Sequence, residues 1–179
     1  MLSSLFKNPF SRFLIISTTL YLSWYFFYEF YLKDHSLIDE WVIDSLVNLG
    51  EGFLRLIGYP ITDYADGLYR VHFGVAGSKG VTIGAPCDGI VLFALFLVFI
   101  ISYPGPIKHK LWFLPAGLVF IHLINVLRVS ALALIVYHKQ DWFSFNHDYT
   151  FTLIVYAIVF GLWWIWITKF SKPKVANED

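Results

Sequence analysis

The chain has 179 residues, of which 58% are hydrophobic, 20% aromatic and only 15% charged. Soluble domains average about 25% charged residues, so this composition excludes an ordinary water-soluble domain and favours a membrane protein. The formal net charge is zero, so nothing in the overall charge indicates nucleic acid as a partner. We predict an all-α polytopic membrane protein with one integral membrane domain over residues 1–179 and about four transmembrane helices.

The first apolar run covers residues 13–32 and follows two basic residues, Lys7 and Arg12, as in a signal peptide. The hydrophobic region of a signal peptide is shorter, roughly 7–15 residues, and a small-residue cleavage site follows it. This run instead ends in a dense aromatic cluster from Tyr25 to Tyr31, which is typical of a membrane–water interface. We predict that residues 13–32 form a retained transmembrane helix.

Residues 33–86 form the one long stretch with many polar residues, and we predict that it lies outside the membrane core. Apolar residues recur in it at helical spacing, which predicts an amphipathic helix over about residues 37–59, ended by Gly58 and Pro60. Whether this helix lies on the bilayer or crosses it stays open. Its predicted apolar positions are Leu37, Trp41, Leu46, Leu49, Phe53, Leu54, Leu56 and Ile57.

A glycine-rich turn at residues 74–80 separates two short β-prone runs, which predicts a β-hairpin. The hairpin would lead directly into Cys87, the only cysteine of the chain. The flanking residues are Leu68, Arg70 and His72 before the turn and Val81, Thr82 and Ile83 after it.

Three further apolar segments, residues 89–103, 111–137 and 149–168, are predicted to span the membrane. The turn Pro104-Gly105-Pro106 ends the first of them. The second contains Asn125 and Arg128 and forms either one long tilted helix or two short segments joined near Asn125. Residues 138–148 are predicted to form an outer loop.

Basic residues cluster on one side of this four-span arrangement. The positive-inside rule makes that side cytoplasmic, so both termini would lie in the cytoplasm. Cys87, the outer half of segment 111–137 and His147 would then lie at the outer face of the cytoplasmic (inner) membrane. The basic residues are Lys7, Arg12, Lys108, Lys110, Lys169, Lys172 and Lys174, whereas most acidic residues fall on the opposite side.

Cys87, Arg128 and His147 together form a candidate catalytic group for acyl transfer. A thiol beside a cation near a helix N-terminus favours the thiolate, a guanidinium can stabilise an oxyanion, and an imidazole can act as general base or acid. Each residue also has a simpler interpretation: Cys87 as an inert packed thiol, Arg128 as a helix-end arginine reaching the interface, and His147 as a solvated loop residue.

Three supporting residues accompany this group. Asn125 precedes Arg128 by three positions, so the two share a helix face. Asp88 disfavours a second negative charge at Cys87, and Gly89 lets a backbone or substrate approach closely. No histidine pair has the spacing of metal ligands, so we predict neither a metal nor another cofactor.

The order of these residues resembles the exosortase/archaeosortase family of membrane cysteine transpeptidases. The matching pieces are Pro-Cys-Asp-Gly-Ile at residues 86–90, Asn-Val-Leu-Arg at residues 125–128, and His147 ahead of the last span. The resemblance covers roughly residues 85–168, and many family members have more spans than this compact chain. The family usually has a small polar residue, often serine, at the position of Asp88.

The resemblance implies a sorting reaction on exported proteins that carry a C-terminal transmembrane sorting signal. Cys87 would attack a peptide bond near that anchor, Arg128 would hold the oxyanion or thiolate, and His147 would protonate the leaving amine. The acyl group would then pass to a surface acceptor. Two alternatives stay open: an intramembrane protease that hydrolyses its substrate, and a non-catalytic scaffold or subunit of an assembly or transport complex in contact with membrane lipid.

Overall fold

The computed structural model describes residues 8–33, 37–62, 71–84 and 87–171. Most of this part of the chain is helical, and it contains one two-stranded antiparallel sheet. Its elements in chain order are α1 (Pro9–Phe27), α2 (Ile38–Leu56), β1 (His72–Phe73), β2 (Val81–Thr82), α3 (Ile90–Ser102), α4 (Ile107–His138) and α5 (Gln140–Phe170). A mostly helical fold with a short hairpin is thus confirmed. The tail residues Lys172 and Lys174 and the hairpin residues Leu68 and Arg70 lie outside the described residues.

Helix α1 covers the predicted first span and continues beyond Phe27 through a wider, π-type turn at Tyr28–Leu32. Asn8 begins it, because the Asn8 side-chain oxygen accepts a hydrogen bond of 3.0 Å from the Phe10 backbone N–H. Pro9 follows at the first helical position, where its missing N–H costs nothing. The local sequence is therefore sufficient to explain where this helix begins.

Helix α2 confirms the predicted amphipathic helix, and the structure adds which of its residues pack against the rest of the chain. The buried stripe contains Ile43 and Val47 together with two predicted positions, Leu46 and Leu54. Spacing alone does not show which stripe meets a neighbour, and here α4 and the hairpin select the stripe. The predicted apolar positions that are exposed instead are Leu37, Trp41, Leu49, Leu56 and Ile57.

The predicted hairpin is present as strands β1 and β2, with His72 opposite Thr82 and Phe73 opposite Val81. Its apolar side chains, including Phe73 and Val81, are buried against α2 and α4. The hairpin therefore closes one side of the helical bundle and leads the chain towards Cys87.

Helix α4 is a single helix of 32 residues, so segment 111–137 is one long helix and is not joined from two near Asn125. The predicted loop at 138–148 is wrong. Lys139 alone turns the chain, and α5 begins at Gln140 with a tight 3₁₀ turn and then a π-type turn over Asn146–Thr150. The polar residues that suggested a loop are the first turns of α5, and His147 lies on one of them.

Within the described residues, two helices, α4 and α5, are long and apolar enough to cross a membrane. Helix α3 is apolar throughout but has only 13 residues. At about 1.5 Å per residue it is about 20 Å long, shorter than the roughly 30 Å hydrocarbon core of a bilayer. Length and composition thus support two spans directly.

The buried side chains form two separate clusters. The first, which we call the hairpin core, joins α2, the hairpin and the second half of α4 through mainly aliphatic residues such as Leu46, Val81 and Val129. The second, which we call the aromatic core, joins α3, the first half of α4 and α5 around Phe96, Phe113 and Trp166. The two clusters meet along α4.

The starts of α1 and α4 and the ends of α3 and α5 lie at one end of the bundle. Phe13, near the start of α1, contacts the rings of Phe99 and Tyr103 near the end of α3. At the same end, His109 Nδ1 lies 3.1 Å from the backbone oxygen of Phe170, which joins the start of α4 to the end of α5. We call this the basic end, because four basic residues belong to these helix ends: Arg12, Lys108, Lys110 and Lys169.

Candidate active site

A tight turn places Cys87 immediately before α3. The Cys87 backbone N–H donates to the Gly84 oxygen at 2.7 Å, and Asp88 Oδ1 accepts a hydrogen bond of 2.8 Å from the Ile90 N–H. Gly89 has a φ of 91°, in the left-handed region that favours glycine. The turn and the helix start are therefore encoded by the short run from Cys87 to Ile90.

Asn125 on α4 holds this turn in place. Its side-chain Nδ2 donates to the backbone oxygens of Cys87, at 2.9 Å, and of Asp88, at 3.0 Å. A Cβ atom at Gly89 would lie 3.0 Å from the same Nδ2, so a larger residue would push the turn away from Asn125. The three supporting residues named from the sequence, Asn125, Asp88 and Gly89, thus all lie at the backbone turn around Cys87.

The structure brings together Cys87 and His147, which are 60 positions apart in the chain. Cys87 Sγ lies 2.9 Å from His147 Nε2, and His147 Nδ1 lies 2.8 Å from Asp148 Oδ1. This network assigns the imidazole proton to Nδ1, facing the carboxylate, and leaves Nε2 to accept from the thiol. The Phe143 ring stacks on the imidazole, and the Thr152 hydroxyl donates to the His147 backbone oxygen at 3.0 Å.

Arg128 lies on α4, near enough for its charge to act on Cys87, and is only 8% exposed. No side chain within the described ranges forms a hydrogen bond or ion pair with it, and its Nε has no partner there. It lines a cavity of about 90 Å³ together with Asp88, Gly89 and Thr152. A buried guanidinium without a counter-ion is costly, so this cavity is electrostatically suited to a negative charge.

The family model for transmembrane exosortases matches residues 10–166. The chain belongs to this family. A similar protein is the probable archaeosortase D of Methanocaldococcus jannaschii, which is 30% identical over 102 residues. These residues make up 56% of this chain and 64% of the relative, so the match covers less than two thirds of the relative's length. No solved structure matches the chain significantly.

Family membership confirms the predicted resemblance and, together with the apolar helices α4 and α5, establishes a membrane protein. In this exosortase-family chain the pKa of the Cys87 thiol is raised above its ordinary value. Burial is the main cause; the Arg128 charge lowers the pKa, and Asp88 and Asp148 raise it. The expected thiolate is therefore not favoured at rest, because desolvation outweighs the single nearby cation.

The neighbouring carboxyl, Asp88, is also perturbed. It is 1% exposed, and burial raises its pKa from the usual value to about 7. The hydrogen bond from the Ile90 N–H lowers the pKa, and the charge of Asp39 raises it further. A protonated Asp88 is uncharged, so near neutral pH it disfavours a thiolate at Cys87 less than an ordinary aspartate would.

Sequence reasoning did not assign a role to Asp148 or Thr152, which position His147 from either side. The signal for Asp148 was present, because it directly follows His147, but a neighbour in sequence need not contact the ring. Asp39, near the start of α2, also acts on the site, because its charge raises the pKa of Asp88. Across residues 8–33, 37–62, 71–84 and 87–171, no three His, Cys, Asp or Glu residues converge as metal ligands.

Proposed function

We propose that this chain is a membrane cysteine transpeptidase that cleaves exported proteins near a C-terminal transmembrane anchor and transfers them to a surface acceptor. The observation that carries the proposal is the contact of 2.9 Å between Cys87 Sγ and His147 Nε2, with Asp148 on the other imidazole nitrogen. A nucleophile bonded to a base that is itself oriented by a third group is the usual arrangement for covalent catalysis.

The proposed reaction begins with a neutral thiol, since the pKa of Cys87 is raised. His147 Nε2 removes the thiol proton as Sγ attacks the scissile carbonyl, and Asp148 stabilises the imidazolium that forms. Arg128 compensates the negative charge that develops on the carbonyl oxygen in the adjacent cavity. The imidazolium then protonates the leaving amine, and His147 next deprotonates the acceptor that attacks the acyl-enzyme.

We also propose four membrane spans, with both termini in the cytoplasm and the active site on the outer face of the cytoplasmic membrane. The support is that the basic end lies at the end of α3 and of α5, whereas the Cys87–His147 pair lies at the start of α3 and in the first turns of α5. Because α3 is short, Cys87 would lie at the depth of the outer leaflet, where an anchored substrate presents the chain next to its anchor. Reporter fusions should be cytoplasmic after Lys110 and external after Lys79; an external C-terminus would contradict this topology.

The central experiment expresses the protein with an anchored surface protein and follows loss of the anchor. Cys87→Ala should abolish processing, and Cys87→Ser should nearly do so, because a hydroxyl needs stronger base assistance than a thiol. His138→Ala is the matched control for His147→Ala, since His138 contacts Tyr59 and not the thiol. Processing at the wild-type rate by Cys87→Ala would overturn the enzyme assignment in favour of a scaffold.

The fate of the acyl-enzyme separates a transpeptidase from a protease. The C-terminus of the released substrate, measured by mass spectrometry, should carry an acceptor in a transpeptidase and a free carboxylate in a hydrolase. His147→Ala should slow both attack and deacylation, so product release should fall, and a covalent adduct at Cys87 should be enriched only where deacylation is slowed more than attack. A free carboxylate on every released molecule would contradict transfer while leaving Cys87 as the nucleophile.

A further inference from the structure

A second cavity lies at the basic end, far from the thiol. It has a volume of about 350 Å³ and opens between the start of α1 and the connection from α3 to α4. Arg12 and Lys110 both line it, and so does Ser102 at the end of α3. No acidic side chain lies among the described residues that line it, so its charge is positive.

The two cations, Lys110 and Arg12, differ in how their side chains are held. Lys110 Nζ donates to the backbone oxygens of Ile101 and Tyr103, both at 2.8 Å, which holds its ammonium group at the cavity. The Arg12 side chain is exposed and forms no hydrogen bond or ion pair within the described part of the chain. One fixed and one adaptable cation in one cavity can bind an anion with several oxygens, such as a phosphate group.

Ser102 provides an independent indication of a ligand. Its side chain is 9% exposed, and its Oγ has no hydrogen-bond partner among the described residues. A buried hydroxyl without a partner is costly and uncommon in folded proteins. Its Oγ is enclosed, so an acceptor oxygen in the cavity would satisfy it after rotation of the Ser102 side chain towards the cavity.

An apolar groove of about 290 Å³ adjoins this cavity. Its walls are α1, α3 and Trp163 of α5, and Phe13 lines both the groove and the charged cavity. Leu22 and Leu95 lie among the groove's other lining residues. A ligand that fits both sites has an anionic head and an apolar chain, which in a membrane protein is the chemistry of a phospholipid.

We propose that this site binds one anionic phospholipid, with the phosphate-bearing headgroup at Arg12, Lys110 and Ser102 and an acyl chain in the adjoining groove. The lipid would come from the leaflet that faces the basic end. This inference depends on the membrane location of the chain and not on the chemistry at Cys87. It therefore stands or falls separately from the proposed catalytic function.

The test is native mass spectrometry of the purified full chain incubated with phosphatidylglycerol or phosphatidylcholine. Wild-type protein should retain phosphatidylglycerol preferentially, and Arg12→Gln should weaken that binding about tenfold, the loss expected for one charge-assisted hydrogen bond. Lys169→Gln is the matched control, because Lys169 belongs to the same end but does not line the cavity. Thr18→Trp, which fills the groove at an exposed lining position, should also weaken binding.

Millimolar inorganic phosphate should not displace the bound phosphatidylglycerol if the acyl chain contributes. Displacement by phosphate, with no effect of Thr18→Trp, would show a free-phosphate site and overturn the lipid assignment. Equal retention of the two lipids, or equal binding by Arg12→Gln and Lys169→Gln, would overturn the proposal as a whole. Ser102→Ala should reduce binding less than Arg12→Gln does, because it removes a neutral donor.

Discussion

The hairpin core and the aromatic core differ in how they are assembled and in what they support. The hairpin core draws mainly aliphatic side chains from α2, two short strands and α4, segments that are distant in sequence. The aromatic core packs three apolar helices through large rings and a close approach at Gly117. Cys87 packs against the hairpin core, whereas Leu92 and Val155 of the aromatic core line the Arg128 cavity. The candidate site thus lies where the two cores meet, and it needs both to be intact.

Among these predictions, the largest effect is expected on substrate processing, from substitution of Arg128 at the junction of the two cores. Arg128→Gln should reduce processing of an anchored substrate by at least about 100-fold, because it removes the charge that we propose stabilises the developing oxyanion. Arg128→Lys should also be defective, since an ammonium group does not reproduce the planar guanidinium. Arg55→Gln, at an exposed position on α2, is the control and should process normally. Equal rates for the Arg128 and Arg55 variants would exclude the oxyanion role.

The aromatic core should tolerate added volume less well than the hairpin core. A Cβ at Gly117 would overlap the Phe96 ring, whereas a Cβ at Gly50 would lie 3.0 Å from Phe73 Cε2. Gly117→Ala should therefore lower the free energy of unfolding by about 1–3 kcal/mol, the usual range for overpacking. Gly50→Ala should cost less, because the Phe73 ring needs to move only slightly.

Gly161→Ala is the reference for both variants, because a Cβ there meets nothing within 4 Å. It should be neutral or slightly stabilising, since alanine favours helix over glycine. Thermal unfolding in one detergent provides the measurement. A Gly117→Ala protein as stable as Gly161→Ala would mean that the aromatic core repacks freely.

The link between the cores can be weakened at Asn125. Asn125→Ala should cost about 1–3 kcal/mol, because the backbone oxygens of Cys87 and Asp88 lose their shared donor. It should also change the rate at which the Cys87 thiol is alkylated. Ser130→Ala on the same helix removes a hydroxyl that bonds only to its own helix, at Val126, and should have little effect on that rate. The same alkylation rate in both variants would contradict the proposed clamp.

The smallest expected effect is a pH dependence at Asp88, whose pKa is raised to about 7. Ionising this buried carboxyl opposes folding, so the stability linked to its protonation is present below about pH 4 and is lost as the pH rises through about 7. Asp88→Asn keeps an acceptor for the Ile90 N–H and should flatten the dependence of Tm on pH between about 4 and 7. Asp141→Asn, at an exposed carboxyl, is the control.

The same substitution should lower the pKa of Cys87, because the Asp88 charge raises it. Alkylation of the Cys87 thiol as a function of pH should then shift to lower pH in Asp88→Asn, most clearly above pH 7, where wild-type Asp88 is ionised. An unchanged dependence of alkylation on pH would mean that the Asp88 charge does not affect the pKa of the Cys87 thiol.

The sequence by itself predicted the features that depend on local patterns. The length of the apolar runs predicted α4 and α5, helical spacing predicted α2, and the glycine-rich turn predicted the hairpin. Each of these patterns depends only on residues within its own segment. The order of Cys87, Arg128 and His147 was sufficient to indicate the family. The residue types also indicated the possible chemical roles: a thiol as nucleophile, a guanidinium as the cation for an oxyanion, and an imidazole as general base or acid.

Only the tertiary structure decided the features that depend on distant contacts. Packing against α4 and the hairpin decides which face of α2 is buried. Residues 140–148, which were predicted to be part of a loop, are the first turns of α5, and the chain turns between α4 and α5 at Lys139 alone. The contact between Cys87 and His147, and a thiol pKa raised by burial, both follow from packing between segments 60 positions apart. The desolvation of a titratable group depends on all the atoms that surround it, including atoms from distant segments. The spacing of residues along the chain therefore does not predict the resulting pKa shift.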